Sequence, residues 1–279
     1  MAHRIVELES GSFSVRNERL GETMHSHIGP EIEAREIYIE QSELATRLQA
    51  PPLDSPLVIY DLGLGIAANA LLALSCRRKL LETGVSSRAI HLVSFENELD
   101  GLRLAMDQAK QFGWMVGFDS ELRTILAGDS CDQEGEKWEL IEGDFHRAAL
   151  SGLPTPELIY FDFYSPRVNT HLWSVDVFSR LYKVSRNPQA TNLFTYSAAT
   201  AVRSAMLLAG FHVGYGRSTQ AKLETTIAST KLEALRYPLD LRWFEKLSRS
   251  DKPFSEEDLL KYNKAELLEK IRAAPQFNV

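Results

Sequence analysis

Between residues 56 and 229 the chain alternates short apolar runs with longer amphipathic ones. "PLVIYDLG" (56–63) is an apolar run closed by Gly, and the "IAANALLALSCRRKLLETG" that follows has the Ala/Leu-rich rhythm of a helix with a Gly stop. "AIHLVSFE" (89–96) repeats the strand pattern and "NELDGLRLAMDQAKQFGW" (97–114) the helical one, with Asn97 in N-cap position. "KWELIEGD" (137–144) and "PELIYFDF" (156–163) are further strand candidates, and "VDVFSRLYKVS", "TNLFTYS", "AATAVRSAMLLAGF", "HVGYG" and "LETTIAS" continue the alternation. Strands that alternate with helices predict right-handed crossovers and a parallel sheet covered on both faces.

The flanks differ. Residues 1–54 are polar and mixed, with one amphipathic segment, "EIEAREIYIEQSELATRL", that puts Ile32, Ile37, Ile39 and Leu44 at roughly helical spacing and stops at the prolines of "QAPPLDSP". Residues 231–279 carry ten basic and nine acidic residues, and "DKPFSEEDLLKYNKAELLEKIRAA" predicts a capped terminal helix. The expected organisation is an N-terminal extension or lid (1–54), an α/β domain (55–230) and a helical C-terminal tail (231–279).

Composition narrows the class. The 279 residues carry a net charge of -7, and no apolar run reaches the eighteen or so residues that a membrane span needs. The start "MAHRIVELES" has no apolar signal core, so the expected compartment is the cytoplasm, away from membranes. The acidic balance counts against broad, non-specific nucleic-acid binding. Cys76 and Cys131 stand far apart with no CxxC pattern, which predicts structural thiols. His25 and His27 in "MHSH" have no further ligand set around them, so no metal is expected.

In open α/β sheets ligands bind at the carboxyl ends of the strands, and acidic residues stand at four of them. Asp61, Gly63 and Gly65 in "DLGLG" form a tight turn ahead of a helix; an acid there suits S-adenosylmethionine better than a pyrophosphate, which it would repel. Glu96 is placed to accept from two ribose hydroxyls, and Asp144 from an adenine amino group. Asp162, after the fourth strand, is placed to hold an amine acceptor and accept its proton, with Tyr164 and Ser165 beside it. Each letter also suits a plain strand end or turn cap, but four in succession point to a site. Arg203, early in the helix after "TYSAAT", suits either a phosphate contact or helix packing. Arg236, Arg242, Lys246, Arg249 and Lys252, interleaved with Tyr237, Trp243 and Phe244, suit an RNA-facing patch or, as the favoured reading, a charge-balanced appendage that packs Trp243 and Phe244 on the domain.

These residues resemble the methyltransferase domain of the bacterial MnmC proteins. The family signature D-G-F-x-P-x-x-N-P-x-x-W is met by Asp162, Tyr164 in the aromatic place, Pro166, Asn169 and Trp173, with Phe163 standing for Gly and Thr170 for Pro. "LFTYSAATAVRSAMLLAGFHV" is similar to its T-Y-[ST]-x-A-x-x-V-R segment through Thr195, Tyr196, Ser197, Ala199, Val202 and Arg203. "DLGLGIAANAL", "SFE" and the N-terminal "GETMHSHIGPEIEA" resemble further family motifs in the same order, over residues 20–229. A basic cluster usual after the A-G-F motif is reduced here to Arg217, Lys222 and Glu224 in an altered register.

The resemblance implies a Rossmann-like class I S-adenosylmethionine-dependent methyltransferase fold, a seven-stranded mostly parallel sheet with helices on both faces. It implies methyl transfer to the exocyclic amine of 5-aminomethyl-(2-thio)uridine at the tRNA wobble position. By motif position Asp61, Gly63, Gly65 and Asn69 would meet the methionine end of the donor, Glu96 its ribose and Asp144 its adenine. Asp162 would be the catalytic carboxylate that takes a proton at the acceptor amine, with Tyr164, Ser165, Ser197 and Arg203 on the substrate side. The chain has no room for the FAD-dependent oxidase domain fused in many family members, so a separate oxidase or aminomethyl-forming enzyme would act upstream. A small-molecule amine methyl- or aminopropyl-transferase with the same fold is the alternative.

Overall fold

A computed structural model describes residues 2–185 and 189–277. The chain begins with a three-stranded antiparallel sheet, β1 (His3–Glu7), β2 (Phe13–Asn17) and β3 (Glu22–Thr23), where sequence patterning alone predicts no strand. The strands are too short and too polar to announce themselves. They are held by packing on the helix Asp100–Asp107, where a β-carbon on Gly101 would lie 2.6 Å from the Met24 methyl and 3.6 Å from Val15. The amphipathic stretch that follows is not one helix. It divides into Pro30–Ala34, a π-helical turn Arg35–Glu40 and Leu44–Gln49, with Glu43 left-handed at φ 54°.

The main sheet holds β4 (Leu57–Leu62), β5 (Ile90–Glu96), β6 (Cys131–Gln133), β7 (Glu136–Glu142), β8 (Leu158–Phe161), β9 (Asn192–Thr195), β10 (His212–Tyr215) and β11 (Thr226–Ser229). Their order is β10-β11-β9-β8-β4-β5-β7-β6. Neighbours from β9 through β7 run parallel, whereas β11 is antiparallel to both β9 and β10. All six residues of β4 are buried, as a central parallel strand covered on both faces requires. The sheet has eight strands rather than the expected seven because Glu134 and Gly135, both at positive φ, make a two-residue turn that folds β6 back onto β7.

Apolar side chains form a cluster on each face. One gathers Ile37, Leu44 and Leu71 with Leu102 and Trp138; the other gathers Phe161, Phe178, Val202 and Met206 with Trp243, Leu267 and Phe277 from the C-terminal residues. Expected helix 97–114 is shorter, running from Asp100 to Asp107 and giving way to 3-10 turns at Ala109–Gln111 and Gly113–Met115. A continuous helix would set Phe112 and Trp114 about 200° apart. The turns bring both inward, with ring centroids 5.3 Å apart. Asn97 is no N-cap, since its backbone N–H donates to the Glu96 side chain and the helix starts three residues later. The expected terminal helix is two, Glu256–Lys261 capped by Ser255 and Lys264–Arg272 capped by Asn263, parted by extended Tyr262. Gln276 bonds the backbone of Val213 and Leu239, closing the β10 edge. No helix among the described residues is long and apolar enough to cross a membrane.

Candidate functional site

At the carboxyl edge of the sheet, where the chain leaves β4 for β5 on one side and β8 lies on the other, the strand ends enclose a pocket of about 910 Å³, open solvent at its mouth included. Gly63 and Gly65 enter it after β4, Glu96 and Asn97 after β5, Asp144 and Phe145 after β7, and Asp162, Phe163 and Tyr164 after β8. Met24 and His25 reach it from the N-terminal residues, and Asn69 from the first turn of the helix Ala68–Glu82. Among the described residues, three carboxylates line the pocket and no lysine or arginine does.

The turn after β4 is shaped by alternate left-handed residues, Gly63 at φ 89°, Gly65 at 54° and Ala67 at 61°. A β-carbon on Gly63 would sit 2.7 Å from the Asp162 carbonyl oxygen, so this glycine lets β4 and β8 close on each other. Gly65 donates its N–H to Glu96 Oε2 at 2.9 Å, and Glu96 Oε1 accepts from the N–H groups of Asn97 and Glu98. Burial nonetheless raises the Glu96 carboxyl above its ordinary range.

Beneath the turn, Asp61 is fully buried. Trp138 Nε1 donates to Ser94 Oγ, and Ser94 donates to Asp61 Oδ2, each at 3.0 Å, while Asp61 Oδ1 has no partner. Burial pushes this carboxyl up to about 7. Asp162 Oδ2 accepts from Asn69 Nδ2 at 2.8 Å. Burial and then the Glu33 carboxylate raise Asp162 well above the usual carboxylate range, against the opposing effect of Asn69 and Tyr38. Burial alone lowers His25 to about 3; its Nδ1 is paired with Ser14 Oγ at 2.9 Å, so the ring is neutral. A group of acids without a cationic partner, one of them with an orphaned buried oxygen, favours a positively charged ligand. Glu96 offers paired acceptors for a diol, and Phe95 and Phe145, edge to face with ring centroids 5.0 Å apart, offer apolar surface.

Of the residues singled out in the sequence, Gly63, Gly65, Asn69, Glu96, Asp144, Asp162 and Tyr164 meet in this pocket, and Asp61 lies just behind it. The others are engaged elsewhere. Ser165 bonds Glu22 through both its N–H and its hydroxyl, tying the loop after β8 to β3. Ser197 is buried beside the sheet, its carbonyl accepting from Thr226. Arg203 is 3% exposed and is held by Thr226 Oγ1, the Thr225 carbonyl and Glu224, which is the helix-packing role and leaves no free guanidinium for a phosphate. Phe163 stands edge-on to Phe161 at 5.1 Å and 5.8 Å from Phe145, forming part of the pocket wall. Trp243 and Phe244 are buried.

Sequence reasoning missed Glu33, Tyr38 and His171. Glu33 is anchored by Ser26 N–H and Oγ, and Tyr38 sits with its hydroxyl 3.4 Å from the Phe161 carbonyl. Both belong to segments that pattern reads only as an amphipathic stretch, and only the fold brings them against Asp162. Among the described residues one grouping has metal-like spacing, His3, Glu98 and Asp100, and it contains neither His25 nor His27.

Residues 130–231 match a family described as S-adenosyl-L-methionine-dependent methyltransferase. An uncharacterized protein of Methanocaldococcus jannaschii is 25% identical over 227 residues, which are 81% of this chain and 59% of that protein. The tRNA 5-methylaminomethyl-2-thiouridine biosynthesis bifunctional protein MnmC of Burkholderia vietnamiensis is 26% identical over 213 residues, 68% of this chain and 30% of that protein. The chain thus spans only a part of the length of these curated relatives. Among solved structures, MnmC2 of Aquifex aeolicus superposes with a TM-score of 0.68 at 21% identity, covering 97% of this chain and 84% of that one.

Proposed function

We propose that this chain, an S-adenosylmethionine-dependent methyltransferase with an MnmC-like methyltransferase domain, methylates the exocyclic amine of 5-aminomethyl-(2-thio)uridine at the tRNA wobble position. The observation that carries this reading is the acid-lined pocket, with Asp162 held by Asn69 at 2.8 Å and no lysine or arginine among the described lining residues. An amine arrives mostly as its ammonium ion and must lose a proton before its lone pair can attack. S-adenosylmethionine, when bound, supplies an electrophilic sulfonium methyl group. Asp162 pairs with the incoming ammonium, takes its proton and orients the freed lone pair. Glu96 holds the donor ribose, Asp144 the adenine amino group, and Asp61 faces the cationic amino-acid end. Relatives named MnmC support tRNA as the acceptor.

A lining without cations also suits a small-molecule amine. Incubating the protein with methyl-labelled S-adenosylmethionine and tRNA from cells unable to complete this modification separates the two. Label in 5-methylaminomethyluridine by nucleoside mass spectrometry is the expected result, and label confined to a small-amine fraction overturns the tRNA reading. Asp162→Ala is expected to lower turnover by at least about a hundredfold, the scale of a lost general base, with S-adenosylhomocysteine affinity near wild type by calorimetry. Unchanged turnover would remove Asp162 from the acceptor site.

A further inference from the structure

Asn69 stands in the first turn of the helix Ala68–Glu82 and is 5% exposed. The motif position that it shares with the MnmC proteins implies contact with the donor, but its side chain points to a different task. Its Nδ2 donates to Asp162 Oδ2 at 2.8 Å. Among the described residues, the titratable groups that face Asp162 are Glu33 from Pro30–Ala34, Tyr38 from Arg35–Glu40, Asp61 from β4 and Tyr196 after β9. None of them is a cation.

Carboxyl groups brought this close normally recruit lysine or arginine. A cation in that place would occupy the position that a charged donor and an ammonium acceptor both need. An asparagine amide carries two N–H donors and no net charge. It stabilises the ionised carboxyl by hydrogen bonding while leaving the field of the pocket negative. From this geometry we propose that Asn69 is a positioning residue, whose amide aims the Asp162 carboxyl into the pocket and keeps it able to take a proton from an amine, rather than a ligand of the methyl donor. The inference rests on the reading of Asp162 as the acid on the acceptor side.

The test uses the full chain as wild type, Asn69→Ala and Asn69→Ser, with Asp162→Asn to identify the Asp162 signal. Carboxyl NMR titration of the isotope-labelled, ligand-free protein is expected to show the Asp162 midpoint about one pH unit higher in Asn69→Ala, with partial return in Asn69→Ser, whose hydroxyl can still donate. S-adenosylhomocysteine affinity by calorimetry is expected to stay within about threefold of wild type, since one neutral hydrogen bond outside the ligand's contacts sets its scale. An unmoved midpoint, or a loss of S-adenosylhomocysteine affinity of about tenfold or more, overturns the inference. In turnover with undermodified tRNA, the rising limb of the pH profile moves to higher pH by the same interval. A shifted NMR midpoint in a protein that never labels tRNA supports the Asn69–Asp162 pairing and overturns the tRNA reading.

Discussion

Burial pushes the Asp61 carboxyl up to about 7 from an ordinary value of 3.8, so the ligand-free protein keeps a proton there that a free aspartate has lost. An acid raised in this way contributes stability that is fully present below the unfolded value and is lost as pH rises through about 7. Asp61→Asn, which keeps an acceptor for Ser94, is therefore expected to melt roughly 3–6 °C higher than wild type at pH 8, with the difference closing as pH falls toward 4. A difference independent of pH by calorimetry would place the strain elsewhere. Burial raises Glu96 too, but three backbone N–H groups hold its carboxyl at the pocket. Glu96→Ala is expected to weaken S-adenosylhomocysteine binding by roughly 1.5–3 kcal/mol, the scale of charged hydrogen bonds, and normal affinity would count against the ribose role.

Among the elements, the turn between β4 and the helix Ala68–Glu82 leaves little room for change. Gly63→Ala meets both a positive φ and contacts of 2.7 Å with the Asp162 carbonyl oxygen and 3.0 Å with the Phe163 nitrogen, both backbone atoms. A loss of about 2–4 kcal/mol in urea unfolding is expected, together with loss of donor binding, as β8 is forced away. The C-terminal residues act on the same site from behind. Asp258, 2% exposed, accepts from the Val175 N–H at 2.9 Å and from Ser255 Oγ at 2.7 Å, so it caps the helix Val175–Val184 from another element. That helix follows the 3-10 turn Thr170–Trp173, which contributes His171 and Leu172 to the pocket. Asp258→Ala is expected to cost about 1–3 kcal/mol, measured by urea unfolding; wild-type stability would mean that Val175 finds another acceptor.

On the scale of the molecule, a net charge of -7 surrounds a pocket whose own lining is acidic. A polyanionic acceptor would have to be held by local cations on the surface while its amine enters the pocket. The mostly parallel sheet and the acidic strand ends follow from the sequence, because each depends on neighbours along the chain: buried runs such as "LVIYDL", a Gly-rich turn, a carboxylate where the run stops. Other features could not be read there. Arg203 matches a motif but spends its guanidinium on Thr225, Thr226 and Glu224, and Asn69, on a helix, meets Asp162 from β8, 93 residues away. Glu33 and Tyr38 come to Asp162 only when the N-terminal residues fold against the sheet. Periodicity records which face of an element is buried. Which side chains from separate elements share a hydrogen bond, and which acids go without a cation, is decided by packing, and here packing sets the carboxyl groups above their ordinary range.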